Sequence, residues 1–127
     1  MNIRIIDGLP YVTVSILHRS HQLNLEKVLL DTGSAGTIFS ADAVTAIGLV
    51  YEPTDMIHRI RGVGGSEFVF TKSLERLDIG DIHVNHFEVE IGSMDYGFAI
   101  DGIVGMDFLL QVGAIIDLAQ IELCIAP

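Results

Sequence analysis

Val28-Leu29-Leu30-Asp31-Thr32-Gly33-Ser34 carries a short apolar run straight into a carboxylate at the mouth of a tight turn. A continuous apolar stretch bounded by turn residues is the pattern of a buried strand, and Gly33 and Ser34 are of types common in turns. Taken alone, Asp31 is as well placed to close an Asx-turn or to cap a helix. Two other stretches bear on it. Asp101-Gly102-Ile103-Val104-Gly105 leads an apolar pair and a glycine into the stretch Met106 to Val112, which Gly113 follows. Between the two lies Ile60-Arg61-Gly62-Val63-Gly64-Gly65, the pattern of a glycine-rich hairpin connection.

Outward from these stretches the chain reads as short strands punctuated by glycine, with no Pro-rich or Ser-rich linker, no low-complexity segment and no full repeat. Tyr11 to Ile16 alternates with period two, as a half-buried strand does. His18 to Asn24 is then a polar turn and Leu25 to Leu30 a second strand. Ser40 to Gly48 reads as a short helix with Ser40 as N-cap and Gly48 at its end. Met56 to Ile60 and Glu67 to Thr71 are the expected arms of the glycine-rich hairpin. Leu74 to Ile79 and Ile82 to Ile91 form a second hairpin around Gly80-Asp81, and Gly113 to Leu118 with Gln120 to Ile125 a third around Ala119. The predicted fold is all-β and mainly antiparallel, with a closed, barrel-like core and one or two short helices.

A chain of 127 residues fits one domain, spanning 1–127, that buries roughly two thirds of its unfolded surface. Its 17 acidic against 7 basic residues, a formal charge of −10, speak against nucleic acid, whose binding leans on Lys and Arg at phosphates. No stretch approaches the ~20 apolar residues of a membrane span, and Met1 to Asp7 lacks the apolar run and cleavage site of a secretory signal. The expected location is cytoplasmic, with no membrane partner. Cys124 is the one cysteine, so no intrachain disulfide is possible, and a buried structural thiol is expected. His83 and His86 lie three apart in a period-two strand, hence on opposite faces, which argues against a metal site. Asp101 is expected in a turn and Asp107 as a first-turn helix acid. Asp101 to Gly105 lacks the third glycine and the βαβ setting of a phosphate-binding turn.

In order and spacing, the three stretches resemble the retroviral-type aspartic proteases, the retropepsins, over most of the chain. The resemblance implies an acid-protease barrel lobe in which Leu9 to Ile16 is the early strand. It makes Gly62-Val63-Gly64-Gly65 the tip of a flap hairpin that closes over substrate, and Ile103-Val104-Gly105 the apolar-apolar-Gly motif before the C-terminal helix. Asp31 is then the catalytic acid, Thr32 ties two such turns together, and Gly33 gives the backbone room beside the carboxylate. Ser34, Ala35, Arg61, the flap-tip residues Gly62 to Gly65 and Ile103 are the substrate-binding positions that the resemblance implies. Arg61 is placed either to meet an acidic substrate side chain or to stay in solvent. Ser34 stands where many retroviral enzymes have Ala. Its hydroxyl is expected to donate to the outer oxygen of Asp31 and so to favour the ionised acid.

The implied chemistry needs two carboxyl groups close enough to share one proton, an effect for which aspartic proteases are a familiar illustration. One acts as general base on a water while the other hydrogen-bonds the scissile carbonyl. Neither a metal nor another cofactor is required. The only local echo of Val28 to Asp31 is Ala114-Ile115-Ile116-Asp117, which continues into Leu118-Ala119 and lacks the Thr-Gly turn. A chain carrying half a site completes it most simply with a second copy, because an isologous interface sets Asp31 of each protomer facing its mate. A homodimer is therefore expected, with Ile115 to Ile125 in the interface together with, or in place of, Met1 to Ile6. Like net charge on both protomers should make association easier in mild acid or salt.

Two function classes follow. The favoured one is an aspartic endopeptidase acting on peptide or protein segments bound as an added strand. The alternative is a non-catalytic, protease-like peptide-binding or assembly domain. An intact Asp31-Thr32-Gly33 favours the enzyme, since a binding domain has no chemical need of that acid.

Overall fold

The computed structural model describes residues 1–62, 65–95 and 97–127. Its strands are β1 (Arg4–Ile6), β2 (Leu9–His18), β3 (His21–Leu30), β4 (Ile38–Ser40), β5 (Ile57–Gly62), β6 (Gly65–Ile79), β7 (Ile82–Gly92), β8 (Gly102–Val104), β9 (Ala114–Asp117) and β10 (Glu122–Ile125). The helices are α1 (Ala41–Val44), which runs into a 3-10 turn over Thr45–Ile47, and α2 (Met106–Val112).

Strands β2, β3, β8, β4, β7 and β6 lie side by side in that order, and β6 pairs back onto β2 through Ser15↔Asp78, Ile16↔Leu77 and Leu17↔Arg76. That last pairing closes the sheet into a ring, and closure leaves no open edge along it. All pairs are antiparallel except β3–β8 and β4–β7. Alternation sends Val12, Val14 and Ile16 of β2 and Leu77 and Ile79 of β6 inward, where each is fully buried. Helix α2 seals this core from one side. Its Phe108 meets Phe87 of β7 edge-on, with ring centres 5.6 Å apart.

Several boundaries differ from those expected. The turn predicted over His18 to Asn24 shrinks to Arg19-Ser20, because both residues adopt left-handed φ, 48° and 66°, and the strands pair up to His18↔His21. Left-handed pairs of this kind give the tightest hairpins. Likewise β6 does not break between Thr71 and Leu74. Lys72 stays in the strand, buried, because its ammonium reaches Glu52 at 2.7 Å and Asp55 at 2.8 Å. The alternation of β7 slips at His86, φ 54°, so Asn85 and His86 are both exposed. His83 and His86 are therefore not held on opposite faces by strand parity as expected, and both are exposed.

The C-terminal hairpin lies where it was expected, pairing β9 with β10 from Ala114↔Ile125 to Asp117↔Glu122. Its second strand is also tied to the N-terminus of the same chain. Ile3 N–H donates to Ile121 O at 3.0 Å and Leu123 N–H to Met1 O at 2.8 Å. Leu123 is wholly buried in the core, while Cys124 is half-buried. Among the described residues no helix is long and apolar enough to cross a membrane.

Candidate active site

Asp31 follows directly on β3, whose last residues pair in parallel with β8 as Val28↔Gly102, Leu29↔Ile103 and Leu30↔Val104. Its own N–H continues that ladder, donating to Val104 O at 3.0 Å. Two stretches far apart in the chain, the one ending in Asp31 and the one centred on Ile103-Val104, are thus neighbouring strands. Beyond Asp31 the chain turns sharply, with Ser34 N–H donating to Asp31 O at 3.1 Å. The Asp31 carboxyl is half-exposed, and its Oδ1 accepts from Gly33 N–H at 2.9 Å. A side chain at position 33 would crowd that oxygen, since a Cβ there would lie 3.1 Å from it.

Ser34 does not act as expected. Its hydroxyl donates to Gly36 O at 2.8 Å, and a hydroxyl has a single proton to give. The tight turn brings the Gly36 carbonyl within reach of Oγ, so the outer oxygen of Asp31 receives nothing from Ser34.

The loop after the turn is fastened to α2. Met106 N–H donates to Ser34 O at 2.8 Å and Asp107 N–H to Ala35 O at 3.1 Å, which satisfies donors that a helix N-terminus leaves open. Asp107, expected as a first-turn acid, also accepts from Thr37 N–H at 3.1 Å and from the Thr37 hydroxyl at 2.7 Å. Gly105 fits only without a side chain. A Cβ there would lie 2.3 Å from Gly36 O, a backbone atom that cannot swing aside. Asp101 is a second brace: its Oδ2 accepts from Lys27 N–H at 3.0 Å, and its carbonyl accepts from Ser40 N–H at 2.8 Å.

Over this loop stands the β5–β6 hairpin, paired from Ile57↔Phe70 to Gly62↔Gly65. Partners across a strand pair share a face, so His58, Ile60, Glu67 and Val69 face one way and Arg59, Arg61, Ser66 and Phe68 the other. The first face is turned toward the Asp31 loop. Ile60 and Val69 join Leu29, Ile38 and Ile103 in a second apolar cluster, separate from the main core. On the same face His58 Nε2 lies 2.9 Å from Glu90 Oε2 of β7, and Glu67 Oε2 accepts from Ser93 Oγ at 3.0 Å. Arg61 is exposed on the opposite face. Val63 and Gly64 lie outside the described residues.

Of the residues singled out by sequence, Asp31, Thr32, Gly33, Ser34, Ala35 and Ile103 meet at one place, on or beside the turn after β3. Sequence reasoning passed over His58, Glu67 and Glu90. A strand-parity count along Ile57 to Gly62 and Gly65 to Thr71 would have grouped the first two with Ile60, but Glu90 is brought in by the parallel β4–β7 pairing. A hollow of about 590 Å³ beside the loop from Ser93 to Asp101 has Asp42, Asp95 and Asp101 in its lining, and Asp31 is not part of it. Among the described residues no group of His, Cys, Asp or Glu is arranged to hold a metal ion. A family model described as aspartyl protease matches residues 19–108, from the β2–β3 turn into α2. No curated protein matches the chain.

Proposed function

The chain belongs to the aspartyl protease family, of the retropepsin-like type, and on that premise we propose that residues 1–127 are one endopeptidase domain that works as a homodimer, each protomer supplying Asp31. The observation that carries this is the state of the Asp31 carboxyl. It is half-exposed, and among the described residues Gly33 N–H is its one partner. Both its exposure and its spare acceptor capacity suit a second carboxyl and a water. Asp117, the nearest sequence echo, is spent on its own turn, its Oδ1 accepting from Gln120 N–H at 3.0 Å. The second acid therefore comes from a second copy.

In the dimer the two Asp31 carboxyls hold one proton between them, since two like charges in contact do not both persist. The ionised one takes a proton from water as the water oxygen bonds to the scissile carbonyl carbon. The protonated one gives its proton to the carbonyl oxygen. Collapse of the resulting diol breaks the C–N bond, with a proton delivered to the leaving nitrogen. Thr32, exposed and with no hydroxyl partner among the described residues, bonds across the twofold axis. The β5–β6 hairpin acts as the flap, excluding water once the peptide lies between it and Ile103. Because β10 is flanked by β9 and by residues 1–3 of its own chain, the outer edge of β9 is the part of the terminal layer left to meet a partner.

The test is cleavage of a mixed peptide pool by the purified protein, with and without a pepstatin-type inhibitor, alongside Asp31→Asn. Inhibitable cleavage that Asp31→Asn abolishes, with the fold unchanged by circular dichroism, is the expected result. Peptide binding without any turnover would instead favour the non-catalytic assembly domain.

A further inference from the structure

The charges around the candidate groove, the space between the β5–β6 hairpin and the Asp31 loop, are segregated. Arg59 and Arg61 occupy the hairpin face turned away from the Asp31 loop, and Arg59 is stacked there on Phe68 at 5.3 Å. On the near side stands Glu90, whose backbone is held on two sides. Its N–H donates to Thr37 O at 3.0 Å, and β7 pairs it with Ile38 of β4 and Thr71 of β6. Its Oε2 meets His58 of the hairpin at 2.9 Å, while Oε1 is directed at Gly36 in the loop that follows Asp31. A Cβ at Gly36 would lie 3.2 Å from that oxygen, so a side chain there would crowd the carboxylate, which glycine avoids. The Glu90 side chain is 24% exposed, which makes it reachable yet partly shielded from water. Shielding of this kind strengthens a charge pair relative to one in open solvent.

Resting on the protease assignment above, we propose that Glu90 makes the groove selective for a basic substrate side chain, Lys or Arg, with His58 as the local hydrogen-bond partner that the substrate displaces or joins. The carboxylate can accept from a guanidinium fork or an ammonium through Oε1 while His58 keeps Oε2. The chain's net charge of −10 acts in the same sense at longer range, drawing cationic segments toward the protein. In a twofold dimer each protomer brings one Glu90. The preference therefore appears at two positions, one on each side of the cleaved bond.

The experiment walks a single Lys through every position of a peptide, with norleucine as the uncharged match. It reads both kcat/KM with the wild-type enzyme and binding to Asp31→Asn by fluorescence anisotropy. Two positions favouring Lys by roughly two- to fivefold, the upper part of the range for an exposed ion pair, are expected. Glu90→Gln should bring that ratio to about one, Glu90→Asp should retain part of it, and His58→Gln should raise it. A ratio unchanged by Glu90→Gln, or no position favouring Lys, overturns the proposal. Binding that selects Lys with no turnover in the wild type would refute the protease assignment and leave this one standing. Turnover indifferent to Lys would do the reverse, and absence of both binding and turnover for every peptide would refute both.

Discussion

Thr37 and Asp107 grip each other twice, the Thr37 N–H donating to Asp107 Oδ2 at 3.1 Å and its hydroxyl to Oδ1 at 2.7 Å. The same hydroxyl oxygen accepts from Gly105 N–H at 3.1 Å. One side chain thus binds the loop after Asp31 to the start of α2 and to the end of β8. Thr37→Val keeps the shape and removes both hydroxyl bonds, stranding a buried Gly105 N–H. A loss of about 1–3 kcal/mol is expected, read as a lower midpoint in urea with an unchanged slope. A midpoint equal to wild type would show that the grip contributes nothing.

Ser34→Ala should leave the pH profile of cleavage where it is, because the hydroxyl serves Gly36 O and not the Asp31 carboxyl. It should lower stability by about 0.5–1.5 kcal/mol, the usual worth of a hydrogen bond. kcat/KM against pH, measured for both proteins on a peptide without ionisable groups near the cleaved bond, is the check. Limbs moved toward higher pH would restore Ser34 as a partner of the acid.

Stability should fall on both sides of neutrality, for reasons that can be assigned. Burial first, then the charges of Arg19 and Lys72, push His18 below its ordinary 6.5. Its unfolded form takes up a proton before the folded one, so its share of stability is complete above 6.5 and drains as pH falls from there. Hydrogen bonds from Lys72 and Arg19 hold Glu52 below its ordinary 4.5, and a bond from Lys72 does the same for Asp55 below 3.8. Their contribution persists above those values and is lost as pH drops through the depressed ones. Burial works against the charge of Lys72, but its bonds to Asp55 and Glu52 outweigh that and raise it above 10.5. Its contribution is present below 10.5 and is lost as pH climbs through the raised value. Melting temperature against pH should therefore show an acid decline beginning near 6.5 that His18→Gln flattens between pH 5 and 7. A decline unaltered by His18→Gln would assign it elsewhere.

Activity should track the dimer through a dilution series followed by sedimentation. Cutting the chain after Leu118 cannot test the interface cleanly, because that removes Leu123 from the core and the partner of residues 1–3. Leu118 itself is 72% exposed at the end of β9. Leu118→Asp should leave the protomer folded and weaken association by roughly tenfold or more, as loss of a central apolar anchor does. Full activity in a dilute monomer would remove the need for a second Asp31.

The sequence by itself indicated the longer strands and the C-terminal hairpin, because period-two alternation, apolar runs and glycine stops are local signals, but not the short strands β1, β4 and β8. It also singled out Asp31-Thr32-Gly33 and Ile103-Val104-Gly105 as belonging to one apparatus. Tertiary structure alone decided which groups those residues touch. The direction of the Ser34 proton depends on where the Gly36 carbonyl comes to lie, and the burial of Lys72 depends on a loop that folds back with Glu52 and Asp55. Glu90 reaches the Asp31 loop only through a parallel pairing between β4 and β7. Such contacts join residues tens of positions apart, and strand pairing and ring closure set them, so no local pattern along the chain records them.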